Sequence, residues 1–497
     1  MKCFILIKYL LLSVVFTNCV LAQVKQVNRI ELVTTADTDY GLTTLKDKSI
    51  VIYALSKSKS HLNVALYAYD TTQTKTWEGN IAVDSRYSFS KQYTLNNSVH
   101  FLFNIDQYIF AILKVNLETQ TYSFYELQTY IPIQLETFKA NTTGCLLGGY
   151  FNNVPIVLYF EFSTERVKIL PGLFSEQGEL NQIEVYENGN FDVLICAKFF
   201  TRQKTIWVKS YNAIGDLIKQ FTVLESDQRS LQFGRTIQLN ESENLVVGVY
   251  GNRYSEYSKG IFIAKIKNYT VLEVNYYNYT DLENFFKFMK AKQEARVKSR
   301  IERRKMKGRK SYKNYRLLVH ELIRSNDQTV LVAEGFYPKY KNSDYSMYNS
   351  SYYMGQTRNV PNNTLVFDGY RYTHAVILGI NKDGRLIWDN AFEINDVKTF
   401  KQEQFVRAIP NNNKINLIYC FEDNLKVKTI QSNKVIENKT AIPLEVFSTG
   451  KKILSTKSPT LTYWKNNSIL VYGIQEVLTS STGVVQTVFF VNTLESQ

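Results

Sequence analysis

Cysteine is scarce in this chain and histidine scarcer, five and four residues in 497. Cys3 and Cys19 lie in an N-terminal segment read below as cleaved, which leaves Cys145, Cys196 and Cys420. An odd, dispersed set excludes a disulfide scaffold, so an ordinary hydrophobic core must hold the fold. Cys196 and Cys420 stand where neighbouring repeats carry Ala or Gly and read as small buried residues; Cys145, a few residues earlier in its copy, reads the same way. His61, His100, His320 and His374 show no metal-ligand spacing. Nor is there a Gly-x-Ser-x-Gly elbow, a phosphate loop or a dinucleotide fingerprint, so neither metal nor cofactor is expected. After residue 22 no run approaches the roughly 18 apolar residues of a membrane-spanning helix.

Residues 1–22 carry Lys2 and Lys8, an apolar stretch over 9–16, and Val20-Leu21-Ala22 before Gln23. This predicts a secretory signal peptide cleaved after Ala22, hence a secreted or periplasmic protein, with an uncleaved anchor as the alternative. Cys19 is no lipid-attachment site, because Phe16-Thr17-Asn18 lacks small residues.

What is abundant is a repeat. Residues 374–392, HAVILGINKDGRLIWDNAF, read as a β-hairpin with turn chemistry at Asn381-Lys382-Asp383-Gly384. Related hairpins recur at 65–77, where Asp70 and Trp77 are spaced as Asn381 and Trp388 are, and at 208–218, where Asn212 and Gly215 keep the interval. Each hairpin follows an apolar run ending in a small residue. These runs end at Ala54, Gly149, Ala197, Gly248, Ala333, Cys420 and Gly473, with a degenerate copy ending at Phe103. Successive spacings are 49, 46, 48, 51, 85, 87 and 53 residues. Strand repeats of 40 to 50 residues predict propeller blades. The expected fold is therefore all-β, a propeller of seven or eight four-stranded blades in one domain, 23–497. A strand over 26–33 belongs to no complete repeat and is expected to close the last blade. An outer-membrane barrel fits less well, since runs 49–55 and 154–160 are apolar on both faces.

The two long spacings each hold an insertion. In the first, about 278–316, Thr280 with Glu283 matches a capping box, and Leu282, Phe285, Phe286 and Met289 fall at helical spacing, predicting two docked turns of helix. Residues 290–316 then hold 13 Lys or Arg against 2 Glu, net +11, whereas the chain without its first 22 residues carries +12. Arg296, Lys298, Arg300, Arg303, Arg304, Lys305, Lys307, Arg309 and Lys310 form this basic patch. It suits an anionic surface, an acidic polysaccharide or simply solvent. Nucleic acid is not expected, as the segment lacks interleaved aromatics for stacking. The second insertion, about 336–372, holds eight tyrosines: Tyr337, Tyr340, Tyr345, Tyr348, Tyr352, Tyr353, Tyr370 and Tyr372. A long polar loop with tyrosines suits sugar or protein binding, or a lid. Asp368, Tyr370, Arg371, Tyr372 and His374 run into the best-formed hairpin and are the expected ligand contacts. A carboxylate pair such as Asp368 with Glu334 can be imagined as acid and base of a hydrolase, but any two acidic residues can be paired this way and sequence does not give their separation. Nine Asn-x-Ser/Thr sites, Asn141, Asn240 and Asn278 among them, would carry surface glycans in a eukaryote.

On the signal peptide, the 50-residue strand repeat and the Asn/Asp hairpins ending near Trp77 and Trp388, the chain resembles uncharacterised secreted bacterial β-propeller proteins. The hairpin is also similar to the tryptophan-docking repeat of quinoprotein propellers and to the Asp-box of sialidases, although only two of eight repeats keep the tryptophan, and Asp383 directly adjoins Gly384. The resemblance implies the fold. Function reads as a binding scaffold at the cell envelope, with a protein or acidic polysaccharide as partner; the alternative is a carbohydrate-active hydrolase or lyase with carboxylates at the propeller mouth.

Overall fold

A computed structural model describes residues 24–35, 37–172, 177–198, 203–223, 229–253, 255–342, 365–395, 397–411, 413–465 and 468–496. The candidate signal peptide lies outside them. The chain builds eight antiparallel sheets in sequence order, blades 1 to 7 at 38–84, 88–128, 134–169, 178–223, 229–278, 316–399 and 407–443. Blade 8 takes three strands from 451–496 and its fourth from Val24–Val33, which pairs antiparallel with the final strand. Eight blades close the ring, and the N-terminal strand joins its ends as expected.

Eight hydrophobic clusters hold the ring together, one in each seam between successive blades, including the seam of blade 8 with blade 1. A blade is thus covered on both faces, which explains the two-sided apolar runs. Ile50–Lys57 and Val154–Glu161, a second and a third strand, are buried at six consecutive positions each. Every apolar marker of the repeat lies on a second strand. In blades 3 and 5 the marker's glycine faces a bulge of the innermost strand: a Cβ on Gly149 would sit 2.1 Å from Gln134 O, and one on Gly248 1.9 Å from Phe233 O.

The recurrent hairpin joins third to fourth strand, and its Asn or Asp has a mechanical role. Asn381 Oδ1 accepts from the backbone N–H of Asp383 and Arg385, Asp70 Oδ1 from those of Thr72 and Thr74, and Asn212 Oδ1 from that of Asp216. The residue three positions on turns left-handed: Gly384 at φ 77°, Gly215 at 80°, Gln73 at 68°. The two tryptophans are not equivalent, however. Trp77 is half-buried and lies over Gly79 on its own strand. Trp388 is buried, donates Nε1–H to Gln328 Oε1 at 2.8 Å, and covers Gly379 on the neighbouring strand. A Cβ at Gly379 would fall 2.1 Å from the indole. Gly379→Ala is therefore expected to expel Trp388 and cost about 2–3 kcal/mol in urea unfolding; an unchanged midpoint would show that the ring moves freely.

The first insertion departs from its expected form. Tyr279–Asp281 and Phe285–Phe288 are 3-10 turns, and the helix, α1, spans Ala291–Met306. No capping box forms: the Thr280 hydroxyl donates to Ser311 O, and the Glu283 amide donates to Asp389. Asp389 of blade 6 also accepts from the Asn284 amide, while the Asn284 side chain donates to Asp389 O. These bonds fix the turns, and Leu282, Phe285 and Phe286 are buried without making a helix. Gly308, at φ 63°, ends α1, with the Arg309 amide donating back to Arg304 O.

Candidate functional site

In a four-stranded meander the turn between second and third strands and the link to the next blade emerge at the same end. Both insertions therefore leave from one face of the propeller. On that face a cleft of about 850 Å³ opens above blades 4, 5 and 6. Its aromatic wall, Phe336, Tyr340, Phe367 and Tyr370, belongs to the long hairpin Gln328–Asn342 and Leu365–Asn381 of blade 6. The rings meet edge to face, with centroids 5.7 Å apart for Phe336–Tyr370, 5.0 Å for Phe367–Tyr370 and 5.8 Å for Tyr340–Phe367. The blade 4 and blade 5 side of the cleft presents Lys198, Lys204 and Arg253, while Arg316 stands on the blade 6 strand paired beside Phe336. Lys204 pairs with Glu179 at 2.7 Å and Arg316 with Glu256; the described lining residues include four cations and two carboxylates.

The five expected contact residues do not form one site. Tyr370 lines the cleft. Asp368, near the outer end of the described hairpin, pairs with Lys398 at 2.6 Å and lies 3.8 Å from Lys341; the Lys398 hydrogen bond holds its carboxyl below the ordinary range. Arg371 stays half-buried on the strand beside Lys398, away from the cleft lining. Tyr372 is buried toward blade 7, its hydroxyl donating to Glu403 O at 2.8 Å, its ring 4.9 Å from Phe405. His374 is fully buried toward blade 5, stacked 3.7 Å from Phe288, and burial pushes its pKa down to about 3. A bulge at Thr373 sends Tyr372 and His374 to opposite faces of the blade, so His374 is a core residue rather than a ligand contact. Tyr345, Tyr348, Tyr352 and Tyr353 lie outside the described residues.

The basic patch is displayed on α1, which docks through Ile301, and on the segment just after it, where Arg296, Arg300, Arg303, Arg304, Lys305, Lys307, Arg309 and Lys310 are all exposed. Lys298 pairs with Glu294 and Lys305 with Asp281. Arg296, Arg300, Arg304, Lys307, Arg309 and Lys310 make no ion pair with a described residue. The suggested carboxylate pair dissolves: Glu334 lies opposite Ala375, seven residues along the strand from Asp368 and so roughly 20 Å away. Among the sequons, Asn240 is exposed, but Asn141 is buried, its side chain bonded to four backbone groups.

Sequence reasoning missed a second group in the central channel. Tyr93, Lys139, Glu184 and Arg235 stand on the innermost strands of blades 2 to 5, and Glu321 follows that of blade 6. Lys139 lies 3.8 Å from Glu321, three blades on, so this contact crosses the channel; its ammonium also sits 5.0 Å over the Tyr93 ring. Glu184 Oε2 accepts from Gln182 Nε2 at 2.8 Å, and burial raises the pKa of Glu184 to about 7.

No protein-family model and no curated protein matches the chain, and nothing at sequence level supports the quinoprotein or Asp-box likeness. Among solved structures it is similar to the propeller domain of the Trilobed protease from Pyrococcus furiosus (9% identity over 81% of this chain and 97% of that one, TM-score 0.35). It is also similar to the polysaccharide lyase Uly1 (9%, 95% and 100%, TM-score 0.42) and to the WD40 domain of SCAP from fission yeast (7%, 95% and 98%, TM-score 0.35). Likeness at this level adds nothing to what the strand order says, and transfers no activity.

Proposed function

We propose that this protein is an exported binding module that holds an extended acidic ligand, an acidic polysaccharide foremost, against its insertion-bearing face. The observation that carries this reading is the cleft itself, where a wall of aromatic rings and the cations Lys198, Lys204, Arg253 and Arg316 line one opening. Flat rings take the apolar faces of sugars while cations take carboxylate or sulfate groups. The uncovered cations of α1 extend the positive surface on the same face and would speed the encounter. Location at the cell envelope follows from the candidate signal peptide and is part of the proposal.

The test is binding of chain 23–497 to an array of acidic and neutral glycans, with two variants alongside. Tyr340→Ala with Tyr370→Ala strips the aromatic wall and is expected to weaken binding tenfold or more. Arg296, Arg300, Arg304 and Lys307 all changed to Glu should slow association and flatten its salt dependence. Equal binding of neutral and acidic glycans, or wild-type affinity in the aromatic double variant, sinks the reading. Absence of glycan binding with capture of a protein on the same face would leave a scaffold for proteins. The hydrolase or lyase alternative is separated by incubating the array and looking for released product.

A further inference from the structure

The channel group differs from the face cleft in place and in chemistry. Arg235 spends one guanidinium N–H on Asn181 O at 2.9 Å, and its Nε–H is buried without an acceptor among the described residues. A buried guanidinium donor left open calls for an oxyanion. Lys139 is held only loosely by Glu321, whose side chain is 65% exposed. Beneath this group, at the opposite end of the channel from the insertions, a cavity of about 520 Å³ opens between blades 1 and 4, with Tyr93 and Tyr186 in its wall. The groups that face Glu184 are Lys139 from blade 3, Arg235 from blade 5, Glu321 from blade 6 and Tyr93 from blade 2, with Tyr186 beside it on its own blade.

We propose that the channel carries a second binding site, for a carboxylate or phosphate group, in which Arg235 and Lys139 hold the oxyanion and Glu184 takes up a proton as it binds. The charge balance requires the proton. With every group ionised, two cations face two carboxylates and an arriving anion gains little. With Glu184 neutral the group is net positive, and the carboxyl can donate a hydrogen bond to the ligand. Burial already raises the pKa of Glu184 to about 7, so little work is needed to complete the change near neutral pH.

The experiment is calorimetry on chain 23–497 with inorganic phosphate and, separately, with sodium glucuronate, which distinguishes phosphate from carboxylate. It is run at pH 5.5 to 8.5 in two buffers of different ionisation enthalpy. Glucuronate affinity should fall about tenfold per pH unit above pH 7, and the buffer difference should show a fraction of a proton taken up per anion near neutrality. Glu184→Gln should keep binding and abolish the glucuronate pH dependence and the uptake of that proton; for phosphate, whose own second ionisation falls in the range, only the difference from wild type counts. Lys139→Met, which keeps an unbranched side chain of similar length at this part-buried position, should weaken both probes at least tenfold. No binding of either probe, binding indifferent to Lys139→Met, or an unchanged pH profile in Glu184→Gln would overturn the site. The aromatic double variant should leave phosphate binding as it was, so failure of the face cleft and failure of the channel site are read separately.

Discussion

Glu334→Ala is expected to lower unfolding free energy by about 3–5 kcal/mol, a large share of what a folded chain has to lose. The carboxylate is fully buried in the seam between blades 6 and 7. Its Oε1 accepts from the backbone amides of Phe405 at 2.9 Å and Val406 at 2.6 Å, which lead into the first strand of blade 7, and His320 Nε2 lies 3.1 Å from the same oxygen. Alanine leaves the buried Val406 amide and the part-buried Phe405 amide without that acceptor, at about 1–3 kcal/mol for a fully buried group. Glutamine keeps an oxygen in the same place, so Glu334→Gln should cost only about 1 kcal/mol. Urea unfolding of both variants checks this. An alanine variant within about 0.5 kcal/mol of wild type would refute the acceptor role, and a glutamine variant as unstable as alanine would show that the charge itself is needed.

The role of Glu334 also shows where sequence stops being informative. Blades were legible because burial on both faces writes an apolar run into every second strand, and because Asn381, Asp70 and Asn212 each close a turn with their own side chain. Those are local causes. The helix expected at 282–289 is replaced by short 3-10 turns that a distant residue anchors: Leu282, Phe285 and Phe286 are buried as their spacing asks, and Asp389, about a hundred residues on, accepts from the amides of Glu283 and Asn284. His374 failed by one residue of register, since the bulge at Thr373 decides which seam each neighbour enters. Tyr370 lines the cleft on a hairpin whose strands are close in sequence. Tyr93, Lys139, Glu184, Arg235 and Glu321 left a fainter trace: each precedes the end of its apolar marker by 10 to 13 residues, the phase of the innermost strand. A polar residue recurring at that phase marks the channel wall, but only the closed ring says that five such residues meet.

Removing residues 24–33 is the second change with a large expected effect, because closure depends on them twice. Val24–Val33 pairs along nearly its whole length with the last strand, whose outer edge it covers. Its side chains then reach across the blade. The Arg29 guanidinium donates to Glu31 at 2.7 Å, Asn492 at 2.9 Å and Gln475 at 2.8 Å, while Glu31 receives Lys451 at 2.9 Å. Gln26 donates to Pro443 O and accepts from the amide of Glu445 and the side chain of Asn492, tying the strand to blade 7 as well. Without the strand, Asn492 and Gln475 lose partners in the interior of blade 8, and a long β edge is left open to other molecules. The truncated chain is expected to lose cooperative thermal unfolding and to associate at micromolar concentration. A synthetic peptide of residues 24–33 added in trans should restore a single transition, whereas the same peptide with Arg29→Ala should restore it weakly. Truncated protein that stays monomeric with a wild-type transition would mean that the seam between blades 8 and 1, built on Leu42, Ile52, Trp464 and Phe489, holds the ring without its clasp.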